Sequence, residues 1–218
     1  MHVESPLRNR LGPDDRLIET LGYRPGEGIV RLRRHIDRMR RSAIAFGIAF
    51  DCKRAEAELG GMASGETPLR LRLTLDMKGM FEAASSPFTP TPPDAVWRIA
   101  IAGTRLDSSD PLIGHKTTRR AAYNTARAEF GTEIDEVVLL NERNEVCEGT
   151  ITNVFRDDGS GMLETPDLTC GLLPGVLRGE LVETGRALEA TMTAGDLRAA
   201  AALFMGNSLR GLIRAELV

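Results

Sequence analysis

Proline fixes φ and lacks a backbone N–H, so it neither continues a helix nor donates along a strand ladder. Pro87, Pro90, Pro92 and Pro93 crowd the stretch between Ser85 and Asp94. At that density the chain reads as a semi-rigid linker rather than as part of a regular element. The linker, placed at 89–94, divides the 218 residues into a segment 1–88 and a segment 95–218. Each is long enough to bury a core of its own.

The first segment opens with a polar lead-in, 1–16, and a strand signal at 17–21. A turn at 25–28 and a strand at 29–32 follow. From His35 the period becomes helical, with Ile36, Met39, Ala43 and Phe46 on one face and Gly47 in the place of a C-terminal cap. A second helix is predicted over 53–59, ended by Gly60-Gly61. Leu69, Leu71, Leu73 and Leu75 then alternate with Arg70, Arg72, Thr74 and Asp76, the period-2 pattern of a strand with one apolar face. The second segment reads as a strand at 96–101, a loop at 106–114 and a helix over 118–130 closed by Gly131. Short strands at 137–140, 149–155 and 162–163 follow, then a helix over 174–188 and strands at 203–206 and 209–217. The fold class is therefore α/β of the two-domain α+β kind: a small α+β domain, then a larger strand-rich one.

Net charge is −3, so there is no global positive field for nucleic acid. No apolar run approaches a membrane span, and the N-terminus lacks the apolar core of a signal peptide, so a cytoplasmic location is expected. Cys52, Cys147 and Cys170 have no CxxC spacing, and His2, His35 and His115 are scattered. Neither a disulfide framework nor a metal site is expected. Of 28 basic residues only Lys53, Lys78 and Lys116 are lysines, which leaves three amine nucleophiles to consider.

Lys53 lies in a charged helical stretch and Lys78 in a hairpin turn, both surface settings. Lys116 stands where a loop of Asp, Ser, Pro and Gly meets Thr117-Thr118. Most lysines at such a junction are simply exposed; the functional alternative is a nucleophile. Glu148 interrupts an apolar stretch and needs a partner, because an unpaired buried carboxylate is costly. That partner is either an arginine or a protonated heterocyclic nitrogen. The turn Gly171-Leu172-Leu173-Pro174-Gly175 opens a helix whose first N–H groups could bind phosphate, although many helices start this way and bind nothing.

Order and spacing join these signals. The run Glu148-Gly149-Thr150-Ile151-Thr152-Asn153-Val154-Phe155, then Leu163-Glu164-Thr165, then Leu173-Pro174-Gly175-Val176-Leu177-Arg178 resembles the class IV aminotransferase signature throughout. Lys116 stands upstream where that family carries its lysine, and His35-Ile36-Asp37-Arg38 resembles the family's helix-start segment. The resemblance implies a D-amino acid aminotransferase-like fold and pyridoxal 5'-phosphate as cofactor. Lys116 would be the catalytic residue and covalent anchor, and Glu148 would keep the ring nitrogen protonated. Arg38, the side chain of Asn207 and the N–H groups of Val176 and Leu177 would hold the phosphate. A homodimer acting on a small-molecule amine is implied, with the cofactor between the domains, and neither nucleic acid nor membrane as partner. Family members usually begin with a further strand pair before the Glu-Thr segment, here Glu19-Thr20. The lead is shorter in this chain, which bears on partner-chain contacts.

Two reactions use this machinery. The stretches 17–21 with 25–28, 115–120 and 206–212 look like 4-amino-4-deoxychorismate lyase, which forms 4-aminobenzoate and pyruvate. The alternative is a transaminase of branched-chain or D-amino acid type. A non-catalytic ligand-binding relative is the reading from another class, and the presence of both Lys116 and Glu148 argues against it. Arg120 and Arg210 are candidates for substrate carboxylates, which a guanidinium grips bidentately, with a surface or ion-pair role as the alternative for each. Tyr123 would either touch the cofactor or pack in the core.

Overall fold

The computed structural model describes residues 7–218, the side chain of Arg8 excepted; the first part of the polar lead-in, 1–6, lies outside the described residues. The chain forms two compact units. One runs to Pro90 and takes in His115–Arg119; the other comprises Thr91–Gly114 and Arg120–Val218. A cut at the proline stretch alone would assign 115–119 to the second.

In the first unit β1 (Arg16–Arg24), β2 (Gly28–Ile29), β3 (Leu69–Asp76) and β4 (Phe81–Pro87) make an antiparallel sheet in the order β2-β1-β3-β4. The leucine–arginine alternation has its expected result: Leu71, Leu73 and Leu75 are fully buried while Arg70 and Arg72 are exposed. Across the pair, Leu17 faces Leu75, Glu19 faces Leu73 and Leu21 faces Leu71. Direct partners share a sheet face, so Glu19 sits in a row that is otherwise leucine. Pro87 is the last residue of β4 and pairs with Leu69. The strand is at the sheet edge, where a missing N–H costs no ladder bond.

Two helices pack on this sheet, α1 (Leu32–Ala45) against β1 and α2 (Cys52–Met62) against β3 and β4. Helix α1 starts earlier than its apolar period suggests. Val30 N–H bonds Gly22 O at 2.8 Å, and Arg31 then turns at φ 56, which ends β2 after two residues. Gly47 does close the helix: it has φ +66, and Ile48 N–H bonds Ala43 O at 2.8 Å in the manner of a left-handed C-terminal cap.

The second unit is built on β5 (Val96–Leu106), β6 (Glu136–Asn141), β7 (Val146–Gly149), β8 (Asn153–Asp157), β9 (Leu163–Pro166), β10 (Ala187–Ala190), β11 (Ala202–Asn207) and β12 (Gly211–Leu217). They form one mixed sheet in the order β10-β9-β8-β11-β12-β5-β6-β7. Strand β6 is buried along its whole length. Val138 and Leu140 pack on one side with Ile99, Val154 and Met205, Val137 and Leu139 on the other with Ala100 and Ala126. Burial on both faces explains why Val137–Leu140 is a continuous apolar run rather than an alternating one.

Three helices complete this unit: α3 (Ala121–Ala128), α4 (Val176–Glu183) and α5 (Ala194–Ala199). The helix expected over 174–188 stops at Glu183. Gly185 takes φ +67, Arg186 N–H bonds Leu181 O at 2.8 Å, and Ala187 and Leu188 join β10 beside β9. The run expected as one strand over 149–155 is broken into β7 and β8 by a turn at 150–152. No helix among the described residues is long and apolar enough to cross a membrane.

Leu73→Ala should cost the first unit about 2–5 kcal/mol, because it empties a fully buried site. Arg72→Ala, exposed on the same strand, should stay within about 0.5 kcal/mol. Urea unfolding followed by circular dichroism measures both.

Candidate active site

In the first unit Lys116 is placed by strand pairing. Its carbonyl accepts from Ile18 N–H at 2.9 Å, and Thr118 N–H donates to Arg16 O at 3.0 Å. The two bonds flank a bridge between Leu17 and Thr117, so 116–118 completes the edge of β1 that β2 is too short to cover. Thr117 and Thr118 are spent on this pairing, which is why α3 begins at Ala121 and not at Thr118. The three lysines separate as their settings suggest: Lys53 and Lys78 are exposed and Lys116 is half-buried.

Arg38 lies on α1 and is buried. Its Nε donates to Glu19 Oε1 at 2.9 Å and a terminal nitrogen to Oε2 at 2.6 Å. His35 Nδ1 lies 2.6 Å from the same Oε2. An ionised carboxylate only accepts, so His35 carries its proton on Nδ1. Burial works against ionisation of Glu19, but Arg38 and the His35 hydrogen bond outweigh it and bring the carboxyl down to about 2. Burial depresses the His35 pKa, and Arg38 and Lys116 add to that, against the pull of Glu19. His115, beside Lys116, is held by Ser42 Oγ at 2.9 Å and meets the edge of Phe46.

In the second unit Glu148 is the next-to-last residue of β7 and is buried. Its Oε1 accepts from Tyr123 Oη at 2.7 Å and from Leu173 N–H at 3.0 Å. Both donors are neutral, and they fix the orientation of the carboxylate. Burial and the charge of Glu148 push the Tyr123 hydroxyl far up, and Tyr123 remains a donor. The ring is half-buried on α3, with the Arg120 guanidinium 4.8 Å from its centroid.

The turn after Glu148 rests on Glu136, a residue the sequence reading passed over. Glu136 Oε1 accepts from the N–H of Val137 at 2.9 Å and of Thr150 at 3.0 Å, and from Thr150 Oγ1 at 2.5 Å. Its Oε2 accepts from Ile151 N–H at 3.0 Å and Thr152 Oγ1 at 2.8 Å. The signal available was a carboxylate opening an apolar run, together with two threonines spaced to reach it. Gly149 is required here, since a Cβ would collide with Thr152 Oγ1. The outward carbonyls of the turn are also used: Thr150 O accepts from Arg120, and Ile151 O from Asn207 Nδ2 at 3.2 Å.

Asn207 therefore braces this turn with its amide, while its Oδ1 accepts from Arg210 N–H at 2.9 Å. The Arg210 guanidinium lies 5.9 Å from the Trp97 ring centroid. Val176 and Leu177 are the first two residues of α4, after Gly175 in extended conformation. Their N–H groups precede the first intrahelical bond, Gly179 N–H to Gly175 O at 2.8 Å, as a helix-start anion site requires. A Cβ at Gly175 would collide with Asn153 Oδ1. The second unit thus brings Glu148, Tyr123, Arg120 and Asn207 around one turn, and the first holds Lys116 and Arg38. No group of three or more His, Cys, Asp or Glu suited to a metal occurs among the described residues.

Residues 16–218 match the family described as amino-transferase class IV. The chain belongs to the class IV aminotransferase family. Its enzymes are pyridoxal-phosphate-dependent aminotransferases or lyases. The chain is similar to a crystal structure from Mesorhizobium loti named "Putative amino-acid aminotransferase", with 50% identity, 94% of this chain and 100% of that one covered, and a TM-score of 0.91. It is 36% identical over 82 residues to the "Probable branched-chain-amino-acid aminotransferase" of Thermotoga maritima, 38% of this chain and 29% of that one. It is 28% identical over 136 residues to the aminodeoxychorismate lyase of Saccharomyces cerevisiae, 54% of this chain and 36% of that one. These two matches span about a third of the curated relatives' length. The mixed α/β architecture is that of the class IV fold.

Glu136→Ala should destabilise the second unit by about 3 kcal/mol or more, since it leaves several buried donors unsatisfied. Glu136→Gln should cost less, and the loss is read from denaturant midpoints. Acid should act on the first unit. The Glu19 carboxyl lies at about 2 against an ordinary 4.5, so its contribution is complete above 4.5 and is lost as pH falls through that value towards 2. His35, held below 6.5, adds a loss in the same direction below 6.5. Urea midpoints should therefore fall progressively with pH, and Glu19→Gln should flatten the part below 4.5.

Proposed function

We propose that this class IV aminotransferase is a 4-amino-4-deoxychorismate lyase, with Lys116 as its catalytic amine. The observation that carries the choice of substrate is the pair of arginines beside the turn that follows Glu148. Arg120 donates to Thr150 O, and Arg210 is tied through its N–H to Asn207, whose amide holds Ile151 O. The proposed substrate carries two carboxylates besides its amine, and Arg120, bonded to the turn, and Arg210, whose guanidinium lies by the Trp97 ring, would receive one each. An amino acid donor with a single carboxylate needs only one. The match to the Saccharomyces cerevisiae lyase supports the same reading.

The residues suit pyridoxal phosphate. Glu148 is a buried carboxylate oriented by Tyr123 and Leu173, and it would meet a cationic ring nitrogen. Lys116 is the lysine held away from bulk solvent. Arg38 would face the phosphate, and the N–H groups of Val176 and Leu177 would complete its binding. When bound, the cofactor supplies an electron sink for charge developing at the carbon beside the substrate's amine. Lys116 would anchor the cofactor, give way to the substrate amine, and then move a proton as general acid and base. Tyr123 would keep Glu148 oriented. The family resemblance also implies a homodimer.

A transaminase is the second reading, favoured by the 50% identity to the Mesorhizobium loti protein. Cofactor-loaded protein given 4-amino-4-deoxychorismate should keep its yellow colour while fluorescent 4-aminobenzoate accumulates, and amino acids should not bleach it. Bleaching by an amino acid with no aminobenzoate would make it a transaminase and name the donor. Lys116→Ala should abolish either activity; an undiminished variant would overturn both.

A further inference from the structure

Position 19 poses a question that stability does not answer. Glu19 is 1% exposed, and its neighbours on the same sheet face, Leu17, Leu21, Leu71, Leu73 and Leu75, are all equally buried. A leucine here would extend an unbroken apolar layer. Replacing a buried ion pair with well-packed apolar side chains is often neutral or stabilising, because burying both charges costs several kcal/mol. The carboxylate instead makes a specific arrangement. It grips the Nε and a terminal nitrogen of Arg38, one with each oxygen, at 2.9 and 2.6 Å. Two parallel bonds fix the plane of a guanidinium, which a single bond would leave free to rotate. His35, one turn earlier on α1, lies 2.6 Å from Oε2 and buttresses the carboxylate from the side. The strand supplies one member and the helix two, so the arrangement is set by the packing of α1 on β1.

We propose that Glu19, buttressed by His35, is a positioning residue that fixes the Arg38 guanidinium in the orientation that receives the cofactor phosphate. The inference rests on the reading that Arg38 faces that phosphate. Its physical content is preorganisation: the rotamer of a long side chain is fixed when the protein folds and not when the ligand arrives, which removes an ordering cost from binding. Glu19 touches neither substrate nor cofactor in this account and acts through Arg38.

The test compares pyridoxal 5'-phosphate with pyridoxal, which presents the same aldehyde to Lys116 and lacks the phosphate. The ratio of the pyridoxal dissociation constant to that of pyridoxal 5'-phosphate, measured by equilibrium dialysis on full-length protein freed of cofactor, isolates the phosphate contribution. Glu19→Gln keeps the shape but loses the charge and one acceptor, and should lower that ratio about tenfold. Glu19→Leu should lower it further, and pyridoxal binding should change little in either. Circular dichroism and melting temperature establish that the variants are folded. Should Glu19→Leu fail to fold, His35→Gln, which removes the buttress and leaves the Glu19–Arg38 pair, should lower the ratio by a smaller factor. If Arg38→Lys collapses the ratio while the Glu19 and His35 variants leave it intact, Glu19 is a packing residue and the inference fails. If Arg38→Lys itself leaves the ratio intact, the phosphate reading fails and takes the positioning role with it.

Discussion

Five neutral donors converge on the carboxylate of Glu136, and Glu148, Arg120 and Asn207 are arranged around that convergence. A charge this deeply buried is tolerable only because every lone-pair direction is served by a backbone N–H or a threonine hydroxyl. The bonds in turn dictate backbone shape. They break an apolar run that would continue as one strand, end β7 at Gly149 just after Glu148, and turn two carbonyls outward to Arg120 and Asn207. Tyr123 and Leu173 then hold the Glu148 carboxylate itself. Glu148 is thus fixed from two sides, through its backbone and through its carboxylate.

The first unit meets the same problem in another way. Glu19 is satisfied by charge, from Arg38, with a histidine in support. One buried carboxylate shapes a turn with neutral donors; the other fixes a cation on a helix. Both stand in otherwise apolar surroundings, and in both the unusual residue holds a neighbour in place.

Most elements were legible because their signals are local. The leucine–arginine alternation of β3, the apolar face of α1 with Gly47 behind it, and the apolar run of β6 each follow from a period or a cap. What was not legible depended on partners distant in sequence. Helix α3 starts late because Thr117 and Thr118 are engaged with Arg16 and Leu17, and the strand over 149–155 breaks because Glu136 takes its N–H groups. The helix after Pro174 ends at Glu183 because 187–190 has a place beside β9. Helix α5 is six residues long and carries too little periodicity to announce itself. Order and spacing single out Lys116, Glu148 and Asn207, yet sequence could not show that Asn207 braces a turn or that Tyr123 donates to Glu148. Those roles exist only once the strands are side by side.

The segment His115–Arg119 belongs to the first unit although the chain on either side of it belongs to the second. The two compact units are consequently not two separable stretches of coding sequence. A piece ending at Pro90 would carry β1 with its first residues unpaired along one edge, an invitation to pair with other chains. It would also leave behind the lysine that the edge holds. Recombination that exchanges one unit for a relative's must therefore bring both the leading segment and this short return, or the new β1 and the old lysine strand must fit by accident. Lys116 is inherited with one half of the gene and positioned by the other, which couples the evolution of two halves that otherwise have separate cores.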